Sequence, residues 1–162
     1  MPRMTAAEVI DALHLEPLEG EGGFFRQTWI AHGERDDAPV GTSILYLVTP
    51  ESFSALHRLV HDEIFHFYLG DPCETVMIDQ NGSFSKVILG QDLGAGMQVQ
   101  HVVPASCWQG TRLIEGGEWA LLGTTMAPGF HPSGFELATT GIIDRLEPAV
   151  ANTVRAFIAA QP

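Results

Sequence analysis

The residues whose types and spacing could do chemistry crowd into one stretch, Ser54 to Gly70, where three of the chain's seven histidines fall within ten residues. Successive side chains of a strand point to opposite faces. Glu63, Phe65 and Phe67 therefore share one face, and Ile64, His66 and Tyr68 the other. With Arg58 to Asp62 as the turn between two antiparallel strands, His57 at the end of the first lies opposite Glu63 at the start of the second. Both then face the interior. An imidazole beside a carboxylate makes either half of a metal site or an acid and base pair, since the carboxylate raises the imidazole's proton affinity and fixes its tautomer. His66 points away from such a cavity and reads as a hydrogen-bonded packing residue. His61 reads as a solvated turn residue.

A rigid β scaffold must hold such a pair, and the chain has the pattern for one. From Phe24 onward, runs of four to eight residues rich in Val, Ile, Phe, Tyr and Thr are separated by Gly, Pro, Asp and Asn clusters. Strands are predicted at 24–30, 43–49, 54–59, 64–69, 74–78, 84–89, 98–103, 107–113, 118–125 and 134–137. Ten short strands at this spacing suit a sandwich or barrel. Asn81-Gly82 predicts a tight type I′ hairpin, since both residues tolerate positive φ. Gly116-Gly117 is a second turn candidate.

Helices flank this core. Thr5 followed by Glu8 makes a capping box ahead of Val9, Ile10 and Leu13, predicting a short helix over about residues 5–15. After a barrel over about 22–138, Ile142, Leu146, Val150, Val154 and Phe157 recur at helical spacing over about 142–160. Pro148 suits the first turn of a long terminal helix, whose apolar face must dock on the barrel or on a second subunit.

Composition limits the function classes. The 162 residues, 45% hydrophobic and 17% charged, suit one globular domain spanning 1–162. The net charge of -12 repels phosphate backbones and anionic lipid surfaces, which excludes nucleic acid and membrane as partners. Cys73 and Cys107 lack metal-like spacing and read as reduced, structural residues. No apolar run approaches the roughly 18 residues that a span needs, so the expected location is the cytoplasm.

The spacing from His57 through Glu63 to Gly70, with six residues between Glu63 and Gly70, resembles the first motif of the cupin superfamily. Pro104-Ala105-Ser106-Cys107-Trp108-Gln109 resembles the second motif. More specifically, Glu21 to Thr28, His57-Arg58-Leu59, Asp62 to Pro72, Val103-Pro104-Ala105, Ala127 to Phe130 and Phe135-Glu136-Leu137 are similar to the bacterial and fungal cupin 5 family, in the right order over about residues 15–140. The resemblance implies an all-β jelly-roll barrel, usually a homodimer, with one small-molecule pocket per subunit.

The chain departs from the metal-binding pattern at two positions. Leu59 stands where the first motif has its second histidine, and Gln109 where the second motif has its own. A metal cupin offers three histidines and a glutamate. Here a divalent metal would have only His57, Glu63 and the Gln109 amide, and losing two imidazoles costs most of the affinity for first-row metals. No cofactor is therefore favoured. The expected catalytic residues are His57 as general base and Glu63 as the group that orients it. Arg26 could grip a carboxylate or phosphate with its planar fork. Phe65, Phe67, Trp108 and Gln109 are the other expected ligand contacts, although aromatic residues inside a small barrel are commonly core. The readings that follow are a metal-independent isomerase or epimerase acting on a sugar-like or polar carbonyl ligand, by fold analogy, or a non-catalytic ligand-binding protein. A metal-dependent cupin enzyme ranks behind both.

Overall fold

A computed structural model describes residues 3–33 and 39–158. The chain begins with helix α1 (Ala6–Leu13), capped as its sequence dictates: the Thr5 hydroxyl accepts from the Glu8 amide at 3.3 Å, and the Glu8 carboxylate accepts from the Thr5 amide at 2.8 Å. Val9 buries the helix against Leu47, Trp119 and Leu121. The Arg26 guanidinium donates to the Leu13 carbonyl at 2.7 Å, so a cation closes the helix's C-terminal end.

Eleven strands follow: β1 (Glu16–Pro17), β2 (Phe24–His32), β3 (Pro39–Val48), β4 (Ser54–Leu59), β5 (Glu63–Gly70), β6 (Cys73–Ile78), β7 (Phe84–Leu89), β8 (Gln100–Val103), β9 (Trp108–Leu113), β10 (Ala120–Met126) and β11 (Phe135–Leu137). They form two antiparallel sheets, one ordered β1-β2-β3-β10-β5-β8 and the other β11-β4-β9-β6-β7. This is a jelly roll. Alternation sends one face of each sheet inward, as β5 shows: Glu63, Phe65 and Phe67 are buried, while Ile64, His66 and Tyr68 lie partly or fully exposed. The inter-sheet core is built on Tyr46, Phe65, Phe67, Leu89 and Leu122.

Three expectations need correction. β4 and β5 do not pair as a hairpin; they belong to different sheets, and residues 60–62 carry the chain across the sandwich. The Asn81-Gly82 turn is not type I′, because only Gly82 has positive φ (82°). The Asp79 carboxylate accepts from the amides of both Asn81 and Ser83 at 2.8 Å, which draws the turn into a wider loop whose left-handed position falls on the glycine. The terminal helical pattern is also broken. It divides into α2 (Thr140–Ile143), α3 (Pro148–Val154) and a 3-10 turn over Arg155–Phe157. Val154 and Phe157 pack against Leu56, Val76 and Ile78, covering the second sheet from outside. No helix among the described residues is long and apolar enough to cross a membrane.

Candidate functional site

Two inward rows meet at one end of the sandwich. In the five-stranded sheet, His57 pairs with Gln109, and Gln109 with Met77. In the six-stranded sheet, Glu63 pairs with Met126, and Met126 with Thr42. His57 and Glu63 thus enter from opposite sheets, and both line a cavity of about 200 Å³. A single water needs only about 10–15 Å³ on this measure, so the space is ligand-sized.

The tautomer of His57 follows from its neighbours. Its Nδ1 lies 2.8 Å from the Ala55 carbonyl oxygen, which can only accept, so Nδ1 carries the proton. In the neutral ring the lone pair is then on Nε2, which has no partner among the described residues. The ring is stacked on Phe135 at 5.3 Å between centroids, which fixes its plane. The expectation that Glu63 orients the imidazole gives way to the Ala55 carbonyl.

Glu63 is 7% exposed, and its carboxylate accepts from the Gln109 amide at 2.8 Å. Burial pushes its proton affinity up, the Glu21 carboxylate adds to this, and His57, Thr124 and Gln109 pull it part of the way back. Gln109 stands behind Glu63 and does not line the cavity. Its Oε1 is buried without a partner.

A second carboxylate was not singled out from the sequence. Glu21 Oε1 accepts from Ser54 Oγ at 2.7 Å and from Tyr46 Oη at 3.3 Å, and lies 3.8 Å from His57 Nδ1. Burial, reinforced by Glu21, pushes the Tyr46 phenol well above its usual range, so Tyr46 stays a neutral donor, and it also donates to the Gly22 carbonyl at 2.8 Å. The loop reaches this position through Gly22 and Gly23, at φ of 100° and 73°. A Cβ at Gly23 would stand 2.6 Å from the Tyr46 ring, and one at Gly22 would collide with the Phe53 carbonyl. Its signals in the sequence were the family-like segment that opens at Glu21, the Gly-Gly pair after it and the parity that turns Tyr46 inward.

Phe65 lines the cavity, whereas Phe67 is packed in the core beneath it. Trp108 lies outside, under the Arg58 guanidinium at 4.7 Å and against the C-terminal segment. Arg26 sits on the outer surface with its guanidinium on helix α1, so the structure does not bring it to the cavity. His66 faces outward, with Nε2 3.1 Å from Thr125 Oγ1. His61 borders a neighbouring hollow that shares Leu59, Met126 and Phe130 with the main cavity. Cys73 and Cys107 are free and buried.

The two-sheet jelly roll, with a histidine and a glutamate from different sheets lining one cavity, defines a cupin-type barrel. The family model described as Cupin superfamily (DUF985) matches residues 7–138, and the chain belongs to that family, Cupin_5. A protein from Shewanella oneidensis is similar in structure over 98% of this chain and 100% of its own, with a TM-score of 0.90 and 29% identity. A hypothetical protein from Leishmania major gives a TM-score of 0.87 at 26% identity, covering 97% of this chain and 100% of its own. Oxalate decarboxylase from Bacillus subtilis shares the fold at a TM-score of 0.58 and 12% identity, over 90% of this chain and 35% of its own. No curated protein matches at a significant level.

The residues present do not fit the metal of three-histidine cupins. Leu59 occupies the cavity wall, the Gln109 amide nitrogen is engaged by Glu63, and its oxygen does not reach the cavity. Among the described residues no group of three or more His, Cys, Asp or Glu is arranged to hold a metal ion. One imidazole and the nearby carboxylates are a poor donor set for metals that favour nitrogen.

Proposed function

We propose that the barrel binds a small organic molecule between its sheets and moves a proton on it, as a metal-independent isomerase or epimerase. The observation that carries this reading is a basic nitrogen and a buried carboxyl lining one cavity. His57 Nε2 has a free lone pair, and Glu63 is pushed toward its protonated form. With a carbonyl compound bound, Nε2 takes the proton from the carbon beside the carbonyl. The electron pair moves onto the carbonyl oxygen. Glu63 then supplies a proton as the pair moves back, to the same carbon for an epimerisation or to a neighbouring atom for an isomerisation. His57 ends protonated and Glu63 ionised, and exchange with solvent restores both.

The lining surface is mostly apolar, with Leu18, Phe25, Ile44, Phe65 and Phe135 among its residues. A sugar's hydroxyls would face these walls, and each one left unpaired costs about 1–3 kcal/mol. The favoured ligand is therefore a carbonyl compound with an apolar body. The same reading takes the protein as a cytoplasmic homodimer. The family resemblance supports the dimer, as do Trp29, Ile30, Val40 and Val102, exposed on the six-stranded sheet.

Incubation with 2-phenylpropanal in D2O, followed by NMR, tests the reaction. Deuterium should enter the carbon beside the carbonyl faster than in buffer, and the His57→Ala variant should lose the excess. Exchange that survives in that variant removes His57 as the base. A ligand that raises the melting temperature without any exchange favours the binding-only reading.

A further inference from the structure

The cavity's charge and hydrogen-bonding character select a ligand more narrowly than its shape does. Glu19 and Glu21 line it as carboxylates beside Glu63, which burial pushes toward its neutral form, and no lysine or arginine does so among the described residues. Arg26 donates to a helix carbonyl and Arg58 pairs with Glu136 at 2.6 Å, so neither cation is turned toward the opening. The most deeply buried free polar position inside is an acceptor: Tyr46 Oη already donates to Gly22, and His57, 2% exposed, aims an unpartnered Nε2 lone pair into the space. The Thr42 hydroxyl, which accepts from the Phe130 amide, and the Gln27 amide can still donate.

An anion entering this cavity would meet carboxylates and find no cation to offset its lost hydration, a cost far above that of a neutral group. A ligand that donates hydrogen bonds and carries positive charge meets the opposite situation. Its N-H groups find the imidazole nitrogen and the Glu21 carboxylate, and the rings of Phe25, Phe65, Phe130 and Tyr46 are in the lining, where aromatic π-systems attract organic cations. The chain's net charge of -12 also raises the local concentration of cations around the mouth.

The geometry points to an organic cation, an amine or ammonium with a small apolar body, as the class of ligand this cavity takes. The inference rests on the reading of the cavity as the ligand site, and not on whether His57 then moves a proton. Phosphate esters, sugar nucleotides and carboxylic acids are the classes it excludes.

Benzylamine, benzyl alcohol and benzoate are matched in size and differ in charge, so titrating each into the full chain with amide NMR detection isolates the sign. Benzylamine should shift the amides of β3, β4 and β5 saturably, at least tenfold tighter than benzyl alcohol, and benzoate should not saturate. Glu19→Gln at the exposed mouth should weaken benzylamine at least threefold and leave benzyl alcohol unchanged. Glu21→Gln should weaken it more, with thermal denaturation confirming that the variant is folded. Benzoate or benzyl alcohol binding as tightly as benzylamine overturns the cation and leaves the cavity as a ligand site. Saturation by none of the three overturns both the cation and the cavity as a site for molecules of this size. Benzylamine affinity unchanged in both variants also overturns the inference.

Discussion

Replacing Glu63 with glutamine removes a buried charge and keeps the shape, and the consequence for stability has a definite sign. Glu63 is 7% exposed, and burial raises its folded-state pKa above the ordinary carboxylate value of 4.5. The folded chain then binds more protons at this group than the unfolded chain does between 4.5 and the raised value. The group's contribution to stability is complete below the ordinary value and is lost as pH rises through that window. Each unit of elevation corresponds to about 1.4 kcal/mol. In a chain of this size, about 1 kcal/mol moves Tm by about 2–4 °C. A glutamine can still accept from the Gln109 amide, which lies 2.8 Å from the carboxylate. Thermal unfolding of both proteins from pH 4 to pH 8 should therefore show the Glu63→Gln variant gaining on the parent as pH rises, by several degrees per unit of elevation. The gap should level off once Glu63 is ionised in the folded chain. A gap independent of pH, or a parent that gains on the variant, would refute a buried, proton-holding carboxyl.

Three further outcomes follow from named contacts. Gln109→Leu removes the donor to Glu63 and with it a restraint on that carboxyl's pKa, so a carboxyl-carbon NMR titration should place the Glu63 midpoint higher than in the parent. Gly22→Ala forces a side chain onto a backbone at φ 100° beside the Phe53 carbonyl, and denaturant unfolding should show a loss exceeding about 1–2 kcal/mol. Phe157→Ala empties a site that is 3% exposed on the far side of the second sheet. It should cost about 3–5 kcal/mol by the same assay while leaving the affinity for cavity ligands intact, since Phe157 does not line the cavity.

Much of the scaffold was legible because alternation and turn chemistry act locally. The segments 54–59 and 84–89 coincide with β4 and β7, and the Thr5 capping box is present in full. The burial parity of Glu63, Phe65 and Phe67 followed from the two-residue period alone. What stayed hidden depended on long-range placement. The pattern around residues 57–63 fits a hairpin and a sheet-to-sheet crossover equally well, because both turn the two side chains inward. Only the pairing of β4 with β9 and of β5 with β10 distinguishes them. Glu21 was quoted within a family-like segment but not as a site residue, because it lies in a loop with no periodicity and is positioned by Ser54 and Tyr46 from distant strands. Arg26 looked like an anion clamp because its type suits one, but its strand position turns it outward onto α1. The terminal helix begins at Pro148 as its first-turn proline suggests, but it is shorter than the pattern implied, passing into a 3-10 turn after Val154.

The central claim is that His57 presents an unprotonated Nε2 to a ligand cavity, with Nδ1 held by the Ala55 carbonyl. Long-range nitrogen-proton NMR of the histidine rings at neutral pH tests it directly. The account expects a proton on Nδ1 of His57, a basic-type resonance at Nε2, and a shift of that Nε2 signal alone when benzylamine is added. A proton resident on Nε2, or an Nε2 signal indifferent to every molecule that occupies the cavity, would contradict it.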